Sequence, residues 1–132
     1  MKKFNSFEQI VAWRKARELN KKIYLLTGQE DSFARDFDLK RQIRRAAVSV
    51  SSNIAEGYER NTDKEFVYFL FVAKASAGEV RSQLYLAYDL KYISENDFHE
   101  IFRRVTDVSR LIAGLIKFLS KAQANSPSDI RH

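Results

Sequence analysis

The chain has 132 residues, of which 45% are apolar and 30% charged, and its 23 Lys and Arg against 17 Asp and Glu give a formal net charge of +6. That is room for one domain with a sizeable core, and too apolar a composition for a disordered chain. The absence of Cys and the presence of only two His exclude a disulfide framework, a thiolate or His-built metal site and a cysteine nucleophile. One Pro and four Gly argue against a turn-rich β fold. Residues 1–60 carry 13 basic and 8 acidic side chains, a net of +5, whereas residues 61–132 carry 10 and 9, a net of +1. The excess charge therefore lies in the first half. No N-terminal stretch has the apolar segment of a signal peptide. The longest apolar run, Phe66 to Ala73, is far short of a membrane span. The expectation is a cytoplasmic, helical protein that is not an enzyme.

Four helical segments follow from periodicity. The first is expected from about Phe7 to Leu26, with Ser6 as N-cap and Gln9 completing a capping box. Its apolar stripe is Ala12, Ala16, Leu19, Ile23 and Leu26, and Gly28 supplies a stop. The following loop, Gln29 to Asp38, holds Phe33 and Phe37, both expected to plug the end of the core. The second helix is expected from about Leu39 to Glu56, with Leu39, Ile43, Ala46, Ala47, Val50 and Ile54 buried and Gly57 ending it.

Thr62 with Glu65 forms another capping box at the start of the third helix, which should reach about Lys91. Phe66, Leu70, Ala73, Ala77, Val80, Leu84 and Ala87 alternate four- and three-residue steps, the seam of bundle packing. The strand alternative for Val67, Tyr68 and Phe69 is rejected, because the run follows a capping box and continues in helical register. Ser94, with Glu95 and Asp97 behind it, opens the fourth helix. Its stripe is Phe98, Ile101, Val105, Val108, Ile112, Leu115 and Leu119. Beyond Ala122 the chain turns polar. The expected architecture is an all-α, antiparallel up-down-up-down four-helix bundle over residues 1–123 with a flexible tail, 124–132.

The third helix has apolar surface to spare. Phe66, Val67, Tyr68, Phe69, Leu70, Phe71 and Val72 are apolar or aromatic all the way round. A patch of that size points to a subunit interface, for which Phe66, Tyr68, Phe69, Phe71 and Val72 are candidates. The alternative is cover from the loop phenylalanines or the N-terminal arm of the same chain. Small residues on the second and third helices would let their axes approach closely. Ser49, Asn53, Ser76 and Glu79 are candidates for a hydrogen-bonded network between them. Glu56 and Glu79 resemble a pair of carboxylates for acid–base work. No nucleophile, His or ligand cluster accompanies them, so a buried structural role with an Arg partner is the expectation.

Arg14, Arg17 and Lys21 share a narrow sector of the first helix opposite its core stripe, with Trp13 and Tyr24 beside it. Lys40, Arg41, Arg44 and Arg45 crowd the first two turns of the second, where the helix dipole disfavours cations. Cations interleaved with aromatics are what a nucleic-acid surface requires; the plainer alternative is a solvated cationic face.

The run from Gln42 to Gly57, with its Asn53-Ile54-Ala55-Glu56-Gly57 core, resembles the signature of the 23S rRNA intervening-sequence proteins. Val11 to Ala16 with Ile23-Tyr24, Lys64-Glu65-Phe66, Ala73 to Glu79, and Leu86 to Leu90 match further parts of the pattern. The resemblance covers roughly residues 4–120; Ala75 departs from it, standing where the family often has Gly. It implies a four-helix bundle assembled as a homopentamer. It also implies structural or interface roles for Arg44, Arg45, Ser49, Asn53, Glu56, Gly57, Ser76 and Glu79, with no catalytic residues to carry over. The chain is similar as well to the accessory variability determinant of diversity-generating retroelements, which binds nucleic acid and a reverse transcriptase. The expected function is sequence-independent RNA or DNA binding by a homo-oligomer, without cofactor or metal. The alternative is a protein–protein module that docks a larger partner such as a reverse transcriptase.

Overall fold

The computed structural model describes residues 4–29 and 31–125, with side chains described as far as Ala122. A 3-10 turn, Phe7–Gln9, precedes five helices: α1 (Val11–Thr27), α2 (Ser32–Arg35), α3 (Phe37–Tyr58), α4 (Asp63–Asp89) and α5 (Glu95–Asn125). There is no strand among the described residues. The four long helices touch in the cyclic order α1, α3, α4, α5 and back to α1, as in an antiparallel bundle with short connections. The predicted boundary after residue 123 falls inside α5, and residues 126–132 of the predicted tail lie outside the described residues. No helix among the described residues is long and apolar enough to cross a membrane.

The core follows the apolar stripes. Every stripe residue predicted for the second and third helices is buried on α3 and α4. Burial of each large side chain such as Leu70, Leu84 or Ile54 contributes roughly 1.5–3 kcal/mol. Two stripes are displaced at their ends. On α1 the fully buried residue of the last turn is Thr27, and Leu26 is only partly buried. On α5, Ile116 is buried where Leu115 was expected.

Caps depart from the sequence reading where two signals compete. Ser6 makes no side-chain cap bond; instead Gln9 Oε1 accepts from Asn5 N (2.9 Å). The 3-10 turn intervenes, and α1 starts at Val11. Asp36, not the region of Leu39, starts α3, its Oδ1 accepting from Leu39 N (3.1 Å). Thr62 and Ser94 cap as expected, accepting from Glu65 N and Asp97 N (each 3.1 Å). Helix α4 stops at Asp89 through a Schellman closure: Tyr92 N donates to Ala87 O and Lys91 N to Tyr88 O, both at 2.9 Å. Lys91 takes the left-handed conformation there (φ 61°). Tyr92 then reaches back to α3, donating its hydroxyl to Asp36 Oδ2 (2.9 Å) and packing its ring on buried Phe33. The bond to Asp36, burial and the carboxylate's charge together raise the Tyr92 phenol above its ordinary pKa.

Helices α3 and α4 meet through small residues. Ala46, Ala47, Ala73 and Ala77 are all buried. Ser49 Oγ and Ser76 Oγ share a hydrogen bond across the seam (2.8 Å), and Asn53 Nδ2 donates to Ser49 O (2.8 Å) and Ser49 Oγ (2.9 Å). Glu79 does not join this network; it is exposed on the far side of α4. Glu56 is exposed too and pairs with Arg60 (3.7 Å), so neither carboxylate has the buried role expected of it. Gly57 lies inside α3 and does not terminate it. A Cβ there would sit 2.8 Å from Phe69 Cβ and 2.9 Å from Phe66 Cδ1, so glycine permits the close approach. Gly57→Ala should therefore destabilise the fold by about 1–3 kcal/mol, as overpacked substitutions do. Denaturant unfolding of the variant checks this, and an unchanged midpoint would mean that the seam is not close-packed.

Candidate nucleic-acid interface

The predicted cations fall into two groups on adjoining helices. On α1, Arg14, Arg17 and Lys21 are exposed and line, with Glu18, a surface hollow of about 390 Å³. Arg14 Nη1 donates to Glu8 O (2.9 Å), and the Arg17 guanidinium lies 5.9 Å from the Trp13 ring centre. Arg14, Arg17, Lys21 and Tyr24 step by three, four and three residues, so they follow one side of α1 for about 15 Å. Asn20 places that side next to α3, its amide lying 2.9 Å from Ser51 Oγ. The track ends at Tyr24, which belongs to the second group.

That second group is a hollow of about 400 Å³ lined by Tyr24, Phe37, Lys40, Arg41, Arg44 and Arg45. All four predicted cations of the second helix meet here. None of the four, nor Arg14, Arg17 or Lys21, lies within 4.0 Å of a carboxylate among the described residues; the ion pairs present are elsewhere apart from Lys15 with Glu18. Because α3 begins at Phe37, Lys40 closes its first turn and Arg41, Arg44 and Arg45 occupy the second and third. The helix-dipole penalty expected for them fades beyond the first turn, where Asp38 stands.

The four cations are not equivalent. Arg44 is half-buried and serves the fold: its Nε donates to Thr27 Oγ1 (2.8 Å) and its Nη2 to Tyr24 O (3.2 Å). Thr27 Oγ1 in turn donates to Ile23 O (2.7 Å). The Arg44 guanidinium also stacks 4.2 Å from the Tyr24 ring centre. It is a cation supplied by one helix to the C-terminal carbonyls of another, where the dipole favours it. Gly28 fits this arrangement, since a Cβ there would stand 2.9 Å from Tyr24 O and 3.4 Å from Arg44 Nη2. Arg41 and Arg45 are exposed and make no such contacts.

Phe37 departs from expectation. Phe33 is fully buried, but Phe37 is 66% exposed at the rim of the hollow, with Lys40 Nζ 5.9 Å from its ring centre. As the first residue of α3 it sits one position after the Asp36 cap, which turns it away from the core. Among the predicted interface residues, Phe66 is buried against Tyr58 and belongs to the core. Phe69 and Val72 are half-buried, and Phe69 lies under the Arg60 guanidinium (4.7 Å). Tyr68 and Phe71 remain 63% and 55% exposed, so the described residues of the loop and the N-terminal arm leave them largely open. They begin a longer exposed row on α4: Tyr68, Phe71, Ala75, Glu79, Ser82, Leu86 and Leu90. Ala75, the departure from the family pattern, thus faces outward.

The unequal roles of the arginines have a measurable consequence. Arg44→Ala should lower stability by about 1.5–3 kcal/mol, the usual worth of charge-assisted hydrogen bonds. Arg41→Ala and Arg45→Ala should change it by no more than about 0.5 kcal/mol. Thermal unfolding of the three variants checks this, and equal effects would contradict the assignment.

Comparison with known proteins agrees with the residue pattern. No curated protein matches the chain. A crystal structure of a protein of unknown function from the S23 ribosomal protein family of Bacteroides thetaiotaomicron is similar to it. That structure superposes with a TM-score of 0.76 at 25% sequence identity, covering 81% of this chain and 96% of the other. The family model described as 23S rRNA-intervening sequence protein matches residues 8–114. With the matched span embracing all of α1 to α4 and most of α5, the chain belongs to the 23S rRNA-intervening sequence protein family.

Proposed function

We propose that this protein is a non-enzymatic, homo-oligomeric RNA- or DNA-binding bundle that holds phosphates on the α1–α3 face without reading sequence. The observation that carries the reading is the hollow at the start of α3, where four cations gather with no carboxylate within 4.0 Å among the described residues. Uncompensated like charges repel one another, and a polyanion relieves that repulsion while releasing its own counterions. The α1 track extends the cationic surface along the groove. Base-edge recognition is no part of the proposal: Lys40, Arg41 and Arg45 would contact phosphate, while Arg44 is held by Thr27 and Tyr24 and adds its charge to the field.

Assembly supports the same reading. The exposed row on α4 is mostly apolar and about 33 Å long from Tyr68 to Leu90. We infer that it is covered by another copy, with five subunits as the family resemblance implies. Each copy brings a charge of +6, and several moderate patches held together bind a long polyanion far more tightly than one. The exposed row also favours a second reading, in which it docks a larger protein and the chain has no direct nucleic-acid role.

Two experiments separate these readings. In anisotropy titrations, the Arg41→Glu, Arg45→Glu double variant should bind RNA and DNA more weakly, with the log-affinity slope against log salt flattened by roughly one per arginine. The absence of binding by the unaltered protein at low salt would end the nucleic-acid reading. Light scattering should show an oligomer that Phe71→Glu dissociates with helicity intact. A monomeric unaltered protein would favour the docking reading instead.

A further inference from the structure

We propose that the hollow at the start of α3 takes an unpaired nucleotide, its base stacked on Phe37 and its phosphates held by Lys40, Arg41 and Arg45, so that the protein selects single-stranded over duplex nucleic acid. This rests on the nucleic-acid reading above and narrows it. Three observations carry it. First, Phe37 is 66% exposed, and its ring borders the cationic hollow. An isolated surface phenylalanine needs no explanation, but one placed among four cations offers a π-face next to phosphate donors. Second, Lys40 Nζ lies 5.9 Å from the Phe37 ring centre, so stacking and phosphate contact are available on the scale of one nucleotide. Third, the site is a shallow hollow open to solvent, of about 400 Å³, which a strand can enter from the side.

A duplex meets few of these features. Its bases are stacked on one another and present edges in the grooves, so Phe37 would face sugar and phosphate. An unpaired base presents its π-face without the cost of breaking a base pair. The two aromatic rings of the site differ in availability. Tyr24 is stacked at 4.2 Å by an Arg44 guanidinium that hydrogen bonds hold in place, whereas Lys40 Nζ stands off the Phe37 ring centre at 5.9 Å on a flexible stem that a base can displace, which leaves Phe37 as the platform. Arg44, held by Thr27 and Tyr24, forms a fixed wall of the hollow. Arg41 and Arg45 are exposed and able to follow a flexible backbone.

The test is anisotropy with unstructured single strands of RNA and of DNA, an abasic DNA strand, and duplexes of equal length, against the unaltered protein, Phe37→Ala and Phe37→Tyr. Phe37→Ala should weaken single-strand binding by about tenfold, the scale of one base–aromatic stack. It should leave duplex binding and the salt slope unchanged, since the ring carries no charge. Phe37→Tyr should retain single-strand affinity, and the abasic strand should bind the unaltered protein as weakly as the normal strand binds Phe37→Ala. Comparing RNA with DNA shows whether the 2′-hydroxyl contributes. Equal affinity for single strands and duplexes, or no effect of Phe37→Ala on single strands, would overturn the proposal while leaving phosphate binding intact. If the unaltered protein binds none of these oligonucleotides, the nucleic-acid reading and this inference fall together. Because Phe37 is largely exposed, the variants should fold, and circular dichroism checks that they do.

Discussion

The close seam between α3 and α4 is the constraint from which the rest of the structure follows. Two helices can approach this nearly only where side chains are small. The buried Ala46, Ala73, Ala77 and Gly57 meet that condition, and the Ser49–Ser76 hydrogen bond satisfies the polar groups that such small residues bring. A helix committed to a neighbour on one side and to α1 on another has one remaining side to show to solvent. On α3 that side carries Arg41 and Arg45. The motif that marks the family is therefore first a packing motif, and the cationic surface is what the packing leaves outside.

The chain presents two surfaces of different physical character. One is cationic and concave, between α1 and α3, with the charge of Arg44 spent on the carbonyls that end α1. The other is the mostly apolar outer row of α4. A polyanion suits the first and an apolar partner the second.

Much of the fold was legible because a stripe with three- and four-residue steps specifies both the element and its buried face. The α3 and α4 core needed nothing more. The cations were legible for the same reason: residues opposite a stripe point outward. The errors have local causes. Thr27 was missed because a hydroxyl does not register as core, yet its own hydrogen bond to Ile23 O lets it be buried. Phe37 was placed inside because hydrophobicity says nothing about direction in a loop, and the Asp36 cap decided the direction. Phe66 stands in both the buried stripe and the interface set, because an all-round apolar run does not reveal which of its faces is inward; Tyr58 and Gly57 decide for the core. Gly57 was read as a stop signal, although a glycine inside a helix can equally mark a neighbouring backbone or ring.

Asp36 joins two parts of the chain that are distant in sequence. One carboxylate oxygen starts α3 and the other holds Tyr92, which follows the end of α4. The junction that presents Phe37 and the α4–α5 turn are thus tied together through one carboxylate. The same bond gives that end of the bundle a dependence on alkali. With the phenol pKa raised in the folded state, the contribution of Tyr92 is complete at neutral pH and is lost as the pH rises through that raised value. A proton on a tyrosine outside the hollow thereby secures the contact between the α4–α5 turn and the cap of α3.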